Sequence, residues 1–278
     1  MSNTIYTQTN YTSPIHCVVG RYIYEYDIKH ANISILHQAG EISDRTFDIL
    51  QRCSKIDREI MIGKMLEKNS SKDAVRLMNI LDQDFMEARK NIIVSNHIED
   101  EYILLTRKDS IFVLDRKLDI TKFGEIEFVL KNIYTSYYNL LLNNLMIFYG
   151  KKEIGFMQHE PYLVIKGISQ DMQLLHKNYM IKAITRFIDM AENTALDTVI
   201  FELKEFMQKY RNRELDIGYY REFNAFSRFH ITVVINGLIT EYGIADVSDI
   251  EDPHNLNIGF NYEVLVRLFQ IFLRRYLS

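Results

Sequence analysis

Residues 24–36 read "YEYDIKHANISIL", and the fold turns on how this stretch is divided. The run from His16 to Asp27, "HCVVGRYIYEYD", is β-branched and aromatic with partial alternation, which predicts a strand. From about 31 to 39 the apolar residues fall at helical spacing, which predicts a short helix ending at Gly40. Asp27 is left at the junction. One reading makes it a helix cap, because its side chain accepts hydrogen bonds from unpaired backbone donors. The other makes it a ligand for a metal ion. Both stand open at this point.

Working outward, residues 42–69 predict one helix with Ser43 as its N-cap, and about 71–95 predict a second. "EYILLTRKDSIFVLD", residues 101–115, predicts a hairpin whose turn lies within "TRKDS". "GEIEFVLKNIY" reads as a strand, "NLMIFYGKKEIGFM" as a hairpin turning at Gly150–Glu153, and "PYLVIKGI" as one more strand. Amphipathic runs near 170–191, 194–212 and 261–277 predict helices. The expected fold class is α+β, an antiparallel sheet with packed helices and a mainly helical C-terminal half. The expected domains are 1–168, with a helical insertion over about 42–97, and a helical region over 169–278.

The composition suits this plan: 47% hydrophobic and 25% charged residues, with three Pro and 11 Gly, leave little loop punctuation. Two cysteines, Cys17 and Cys53, supply neither a disulfide framework nor a zinc set. The net charge of −4 counts against a dedicated nucleic-acid binder but leaves room for a local basic groove. The first ten residues are polar and no segment reaches spanning length, so a cytoplasmic protein without a membrane partner is expected. The histidines lack H-x-x-x-H spacing, and no phosphate-binding glycine motif occurs.

Asp109 sits in the predicted 101–115 turn, where folding could bring it beside Asp27. Phosphoryl transfer commonly uses two magnesium ions clamped by carboxylates and substrate phosphates. Carboxylates on strand ends or turns, beside a helix start, are parts from which such a site is built.

At this point a resemblance enters. "DIKHANISIL" resembles the first palm motif of family B DNA polymerases, roughly D-x-x-S-L-Y-P-S-I-I, with Asp27 on the metal-binding acid and Ser34 on the motif serine. "LLTRKDSIFV" resembles the third motif, roughly Y-G-D-T-D-S-I-F-V, with Asp109 on the second acid. "IGKMLEKNSS" is similar to the end of the fingers helix, with Asn69 and Ser70 on its Asn-Ser pair. Arg107 stands in place of the third motif's first acid, Asn32 in place of the sugar-sensing tyrosine, and Met65 in place of the triphosphate lysine, with Lys64 beside it.

The resemblance implies a palm-like fold in 1–168, a fingers-like insertion and a thumb-like C-terminal region. It implies magnesium held by Asp27 and Asp109, with Arg58 or Lys64 neutralising a triphosphate and Asn32 and Ser34 beside the nucleotide. The implied activity is template-directed nucleotidyl transfer on DNA or RNA, in a phage or other mobile element. The substituted acid and lysine equally suit an inactive subunit that binds nucleic acid or a partner in a replication complex. A third reading is an interaction protein with no nucleic-acid role. "LDIGYYREFNAFSRF" interleaves Tyr219 and Tyr220 with Arg221 and Arg228, the residue types that stack on bases and meet phosphates. The same pattern fits an amphipathic helix whose aromatics fill a core. The arginines of the last helix, 267, 274 and 275, read as snorkelling from an apolar face.

Overall fold

The structure, a computed structural model, describes residues 4–68, 71–142, 144–155, 158–220, 230–235, 238–243 and 259–277. The chain packs as two units. Unit 1 is Met1–Ile15 with Arg21–Tyr134, and unit 2 is His16–Gly20 with Thr135–Ser278. The division falls at Tyr134–Thr135, inside a strand.

Unit 1 begins with α1 (Thr4–Thr7) and β1 (Tyr11–Thr12), and takes in β2 (Cys17–Ile28) from Arg21 onward. Helices α2 (Ala31–Gln38), α3 (Asp44–Arg52), α4 (Lys55–Lys68) and α5 (Ser71–Ser95) follow. Strands β3 (Ile103–Arg107), β4 (Ser110–Leu114), β5 (Lys122–Phe123) and β6 (Ile126–Asn139) complete it, with β6 leaving the unit at Tyr134. The strand order here is β1-β3-β4-β2-β6, with β5 on β6. β2 and β4 run antiparallel from Ile23 opposite Leu114 to Asp27 opposite Ser110. Every residue of β4 is buried, as expected for an apolar run covered on both faces. On α5, Leu77, Leu81, Phe85, Ala88 and Ile92 recur at helical spacing and enter the core with Ile103, Ile111 and Val113.

The expected helix over 42–69 is two helices. Ser43 caps the first as its Oγ accepts from Thr46 N at 3.3 Å. The chain then breaks at Cys53, which is extended. Ser54 starts the second helix, because its Oγ accepts from Asp57 N at 3.2 Å, a second N-cap arrangement within one amphipathic run.

Unit 2 contains β7 (Met146–Gly155), β8 (Gln158–Lys166), α6 (Gln170–His176), α7 (Met180–Asn193), α8 (Leu196–Asn212), β9 (His230–Ile235), β10 (Leu238–Gly243) and α9 (Gly259–Leu277). β7 lies between β6 and β8, and β9 pairs with β10. The core forms where Ile147 and Tyr149 of β7 meet Ile184, Phe187 and Ile188 of α7, Val199 and Leu203 of α8, and Leu265 and Leu268 of α9.

Two expectations are corrected here. Gly150–Glu153 are not a turn: β7 runs through them, with Gly150 opposite Tyr162 and Lys151 opposite Pro161. A Cβ at Gly150 would stand 2.7 Å from the Tyr162 ring, so this glycine is there for close approach between strands. The helical run over 170–191 is also split, because Tyr179 leaves the helical region (φ −121, ψ −101) between α6 and α7. The β9–β10 pair falls between the runs over 194–212 and 261–277 that predict helices. Antiparallel strands with separately packed helices make the chain α+β. Among the described residues no helix is long and apolar enough to cross a membrane.

Candidate functional site

The β3–β4 hairpin turns tightly. Arg107 pairs with Ser110, leaving Lys108 and Asp109 as a two-residue loop. The loop is stitched to β2 because Ile28 N donates to Asp109 O at 2.9 Å. Since Asp27 lies opposite Ser110, the two acids chosen from sequence arrive at the same end of two adjacent strands. They line one cleft of about 390 Å³ together with His30, Asn32, Lys55, Arg58, Glu59, Phe85 and Lys108.

Asp27 is not a cap. The residue before α2 is His30, in the left-handed region at φ 52 and ψ 40 with no side-chain capping bond. The Asp27 carboxylate instead accepts from Lys131 Nζ, on β6, at 2.5 Å. Lys131 also lies 3.7 Å from Glu25, which is 1% exposed and accepts from Tyr134 Oη and from Asn132 Nδ2 at 2.7 Å. Burial raises the Asp27 pKa. The Lys131 hydrogen bond and charge oppose that rise, while Glu25 and Asp109 add to it. Burial pulls Lys131 the other way, but the carboxylates of Asp27, Glu25 and Asp109 outweigh it and hold the ammonium above its ordinary value. The site is thus an acid pair with a resident ammonium on one member.

Behind the hairpin, Arg89 of α5 is buried. Its guanidinium donates to three backbone oxygens, those of Thr9 at 2.7 Å, Gln8 at 3.1 Å and Arg107. Burial lowers its pKa to about 10, with the Asp109 charge acting in the opposite sense. Arg89 therefore ties the base of the Asp109 turn to the N-terminal segment.

The cleft also has basic residues, Lys55 and Arg58 from α4 and Lys108 from the hairpin loop. Arg58 donates to Cys53 O at 2.8 Å, Lys55 lies 3.8 Å from Glu59, and Lys108 is held by Asp82 at 2.9 Å above the Phe85 ring. His30 is lowered by burial, then by the charges of Arg58 and Lys29. Asn32 reaches the cleft. Ser34 does not: it is buried and its Oγ donates to Lys29 O at 2.9 Å, a bond within the helix start. Lys64 is exposed on α4 and is not among the cleft residues. Arg107 turns away from the acids, donating to Tyr11 O, Thr12 Oγ1 and Thr106 O.

In unit 2, Tyr219 and Tyr220 lie in a 3-10 turn, Ile217–Tyr220, rather than a helix. Tyr219 meets Tyr179 and Phe206 edge-on, and Tyr220 is buried with its ring stacked on Tyr210. These two aromatics fill a core. Arg221 and Arg228, like Asn69 and Ser70 of the fingers-like motif, lie outside the described residues.

Lys131, Arg89 and Glu25 were not found from sequence. Each belongs to the site through a strand pairing or a burial that no local motif announces. Magnesium needs oxygen donors at near-octahedral positions. Two carboxylates with an ammonium on one of them do not by themselves provide such a set. Among the described residues no group of three or more His, Cys, Asp or Glu could hold a metal ion.

No curated protein matches the chain. A family model described as Bacteriophage PBS1 gene 130 protein matches residues 1–274. With nearly the whole chain covered, the protein belongs to the family of the bacteriophage PBS1 gene 130 protein.

Proposed function

We propose that this phage protein is a palm-like nucleic-acid-binding subunit whose acid pair is held by its own lysine, a binding rather than a transfer site. The observation that carries the reading is the Lys131 ammonium, 2.5 Å from the Asp27 carboxylate that would otherwise take a divalent ion. The meeting of Asp27 and Asp109 at one strand end supports the polymerase-like part of the reading, and the lysine supports the loss of chemistry. Phosphate groups of a bound strand or nucleotide would meet Lys55 and Arg58 of α4, which line the same cleft as the acids.

The convergence of the two acids also favours a second reading, nucleotidyl transfer on DNA or RNA with magnesium. In that reading magnesium takes the other Asp27 oxygen or displaces Lys131, and the ammonium beside it opposes the metal by like-charge repulsion. The same site would then need substrate oxygens to complete the metal's coordination.

Primer–template DNA binding and primer extension, each with and without magnesium, test the pair of readings on the full chain. We expect binding that weakens with salt and is unchanged by magnesium, with no extension, and at least a fivefold loss of binding in Lys55→Glu/Arg58→Glu. Extension by the wild type that disappears in Asp27→Asn and Asp109→Asn would replace the first reading with the second. Absence of DNA and RNA binding at low salt would remove both and leave an interaction protein.

A further inference from the structure

Unit 2 carries a second concavity, independent of the acid pair. It is a groove of about 910 Å³ between β7 and β8 on one side and α6 and α7 on the other. Its charges are unevenly committed. Arg186 pairs with Glu202. Asp189 accepts from Tyr149 Oη at 2.5 Å and lies 3.4 Å from Lys151, so its charge is largely answered. No carboxylate among the described residues pairs with Lys177 or Lys182, both exposed. Lys152 lies 5.1 Å from the Tyr162 ring and stands opposite Glu160 across the β7–β8 pairing. The groove is therefore net positive.

Its floor is aliphatic. Leu163 and Ile181 line it, and Leu174 beside them is 72% exposed. Exposed leucine beside half-buried aliphatics leaves apolar surface in water, which a ligand's apolar side chain would cover. Single-stranded nucleic acid takes free aromatic faces on which bases stack. Here the one aromatic is occupied: Tyr162 packs across Gly150 and carries Lys152 above its ring. Positive rim and aliphatic floor together match a protein segment rather than a base.

We propose that this groove docks an acidic peptide segment of a partner protein, its carboxylates on Lys177 and Lys182 and an aliphatic side chain against Leu174 and Ile181. Helix and strand grooves that take peptide anchors in this way combine an apolar pocket with peripheral charge.

The test selects a library of random 12-residue peptides on the full-length chain, then measures the enriched peptides by fluorescence anisotropy beside a labelled dT12 oligonucleotide. Enriched peptides should be net acidic with a leucine, isoleucine or methionine. Their affinity should fall at least tenfold in Lys177→Glu/Lys182→Glu and at least threefold in Leu174→Ser, and should weaken with salt. All three positions are exposed, and unchanged thermal melts keep a binding loss separate from misfolding. Failure to enrich any peptide overturns the proposal, as do peptides that are not acidic or whose binding survives the variants. Tighter binding of dT12 that is lost in the same variants overturns it in favour of nucleic acid. Because the variants lie in unit 2, loss of DNA binding at the unit 1 cleft is a separate result and does not bear on this one.

Discussion

Each unit contains a pair of carboxylates with a lysine, and the two are built differently. In unit 2, Asp189 and Glu192 stand one helical turn apart on α7. Glu192 accepts from Ser136 Oγ and from Thr135 Oγ1 at 3.2 Å, Asp189 from Tyr149 Oη at 2.5 Å, and Lys151 lies 3.4 Å and 3.8 Å from the two acids. Its oxygens are taken by hydroxyls of the adjacent sheet, so it works as an adhesive between α7 and the strands. In unit 1, Asp27 accepts from Lys131, and it shares a cleft with Asp109 and with Lys55, Arg58 and Lys108. Hydroxyl donors fill most of the first pair, whereas in the second Asp27 is balanced by a half-exposed ammonium. The unit 2 pair is spent on packing α7 against the sheet, while the unit 1 pair faces a cleft.

The largest effect that sharpens this contrast lies behind the unit 1 pair. Arg89→Leu removes a buried guanidinium and leaves the carbonyls of Gln8, Thr9 and Arg107 without that donor. Urea unfolding should show a loss of about 3 kcal/mol. A loss under about 1 kcal/mol would mean that the Asp109 hairpin is held by its strand pairing alone. Glu192→Ala comes next, at about 2 kcal/mol, because it removes the charged acceptor of the buried Ser136 hydroxyl and leaves Thr135 Oγ1 with only its 3.5 Å contact to Tyr149 O. Glu192→Gln keeps an acceptor and should cost less than half of that. Equal losses in the two variants would show that charge, not hydrogen bonding, holds α7 down.

Lys131→Met probes the cation on Asp27. Burial already raises Asp27 above its ordinary 3.8, and removing the opposing lysine raises it further. A carboxylate raised in the folded state contributes stability that is full below the unfolded pKa and is lost as pH rises through the folded one. Stability of the variant relative to wild type should therefore fall between about pH 4 and neutrality, by no more than about 1 kcal/mol, since Lys131 is half-exposed. A gap that narrows as pH rises would place the main cost of the variant elsewhere than Asp27.

The smallest effect belongs to His37 of α2. Its imidazole bonds Asp44 at 3.0 Å, also meets Glu125, and stacks on Phe47 at 4.2 Å. The Asp44 hydrogen bond raises its pKa against the effect of burial, and Glu125 adds to the rise. Stability from this clamp should be complete below about pH 6.5 and decline as pH rises through the elevated value. His37→Gln should flatten that decline, which is under about 1 kcal/mol because Asp44 is solvated. Paired thermal melts at pH 5.5 and 8 measure it.

Much of the chain was legible because its signals are local. Alternation and β-branching in "EYILLTRKDSIFVLD" gave the hairpin and the turn at Asp109, and Ser43 began its helix where a capping serine should. Misreadings arose where one local signal has two tertiary uses. Gly150 with its lysines looks like turn chemistry, yet Tyr162 from the next strand needs the space a side chain would fill. A single amphipathic run over 42–69 hides two helices, because Ser54 can cap as well as Ser43.

Asp27 shows the boundary most directly. Sequence alone determined that a carboxylate ends a strand before a helix, that a second acid sits in a later hairpin, and that the fold is α+β. Local propensity and periodicity act over a few residues and can carry that much. Only the tertiary structure decided that the acids meet, that Lys131 comes from 104 positions away to stand on Asp27, and that Arg89 braces the turn from inside the core. It also decided that Tyr219 and Tyr220 face a core rather than a ligand. Strand pairing and burial set these relations, and both depend on which distant segments share a sheet, a choice made by the packing of the whole unit.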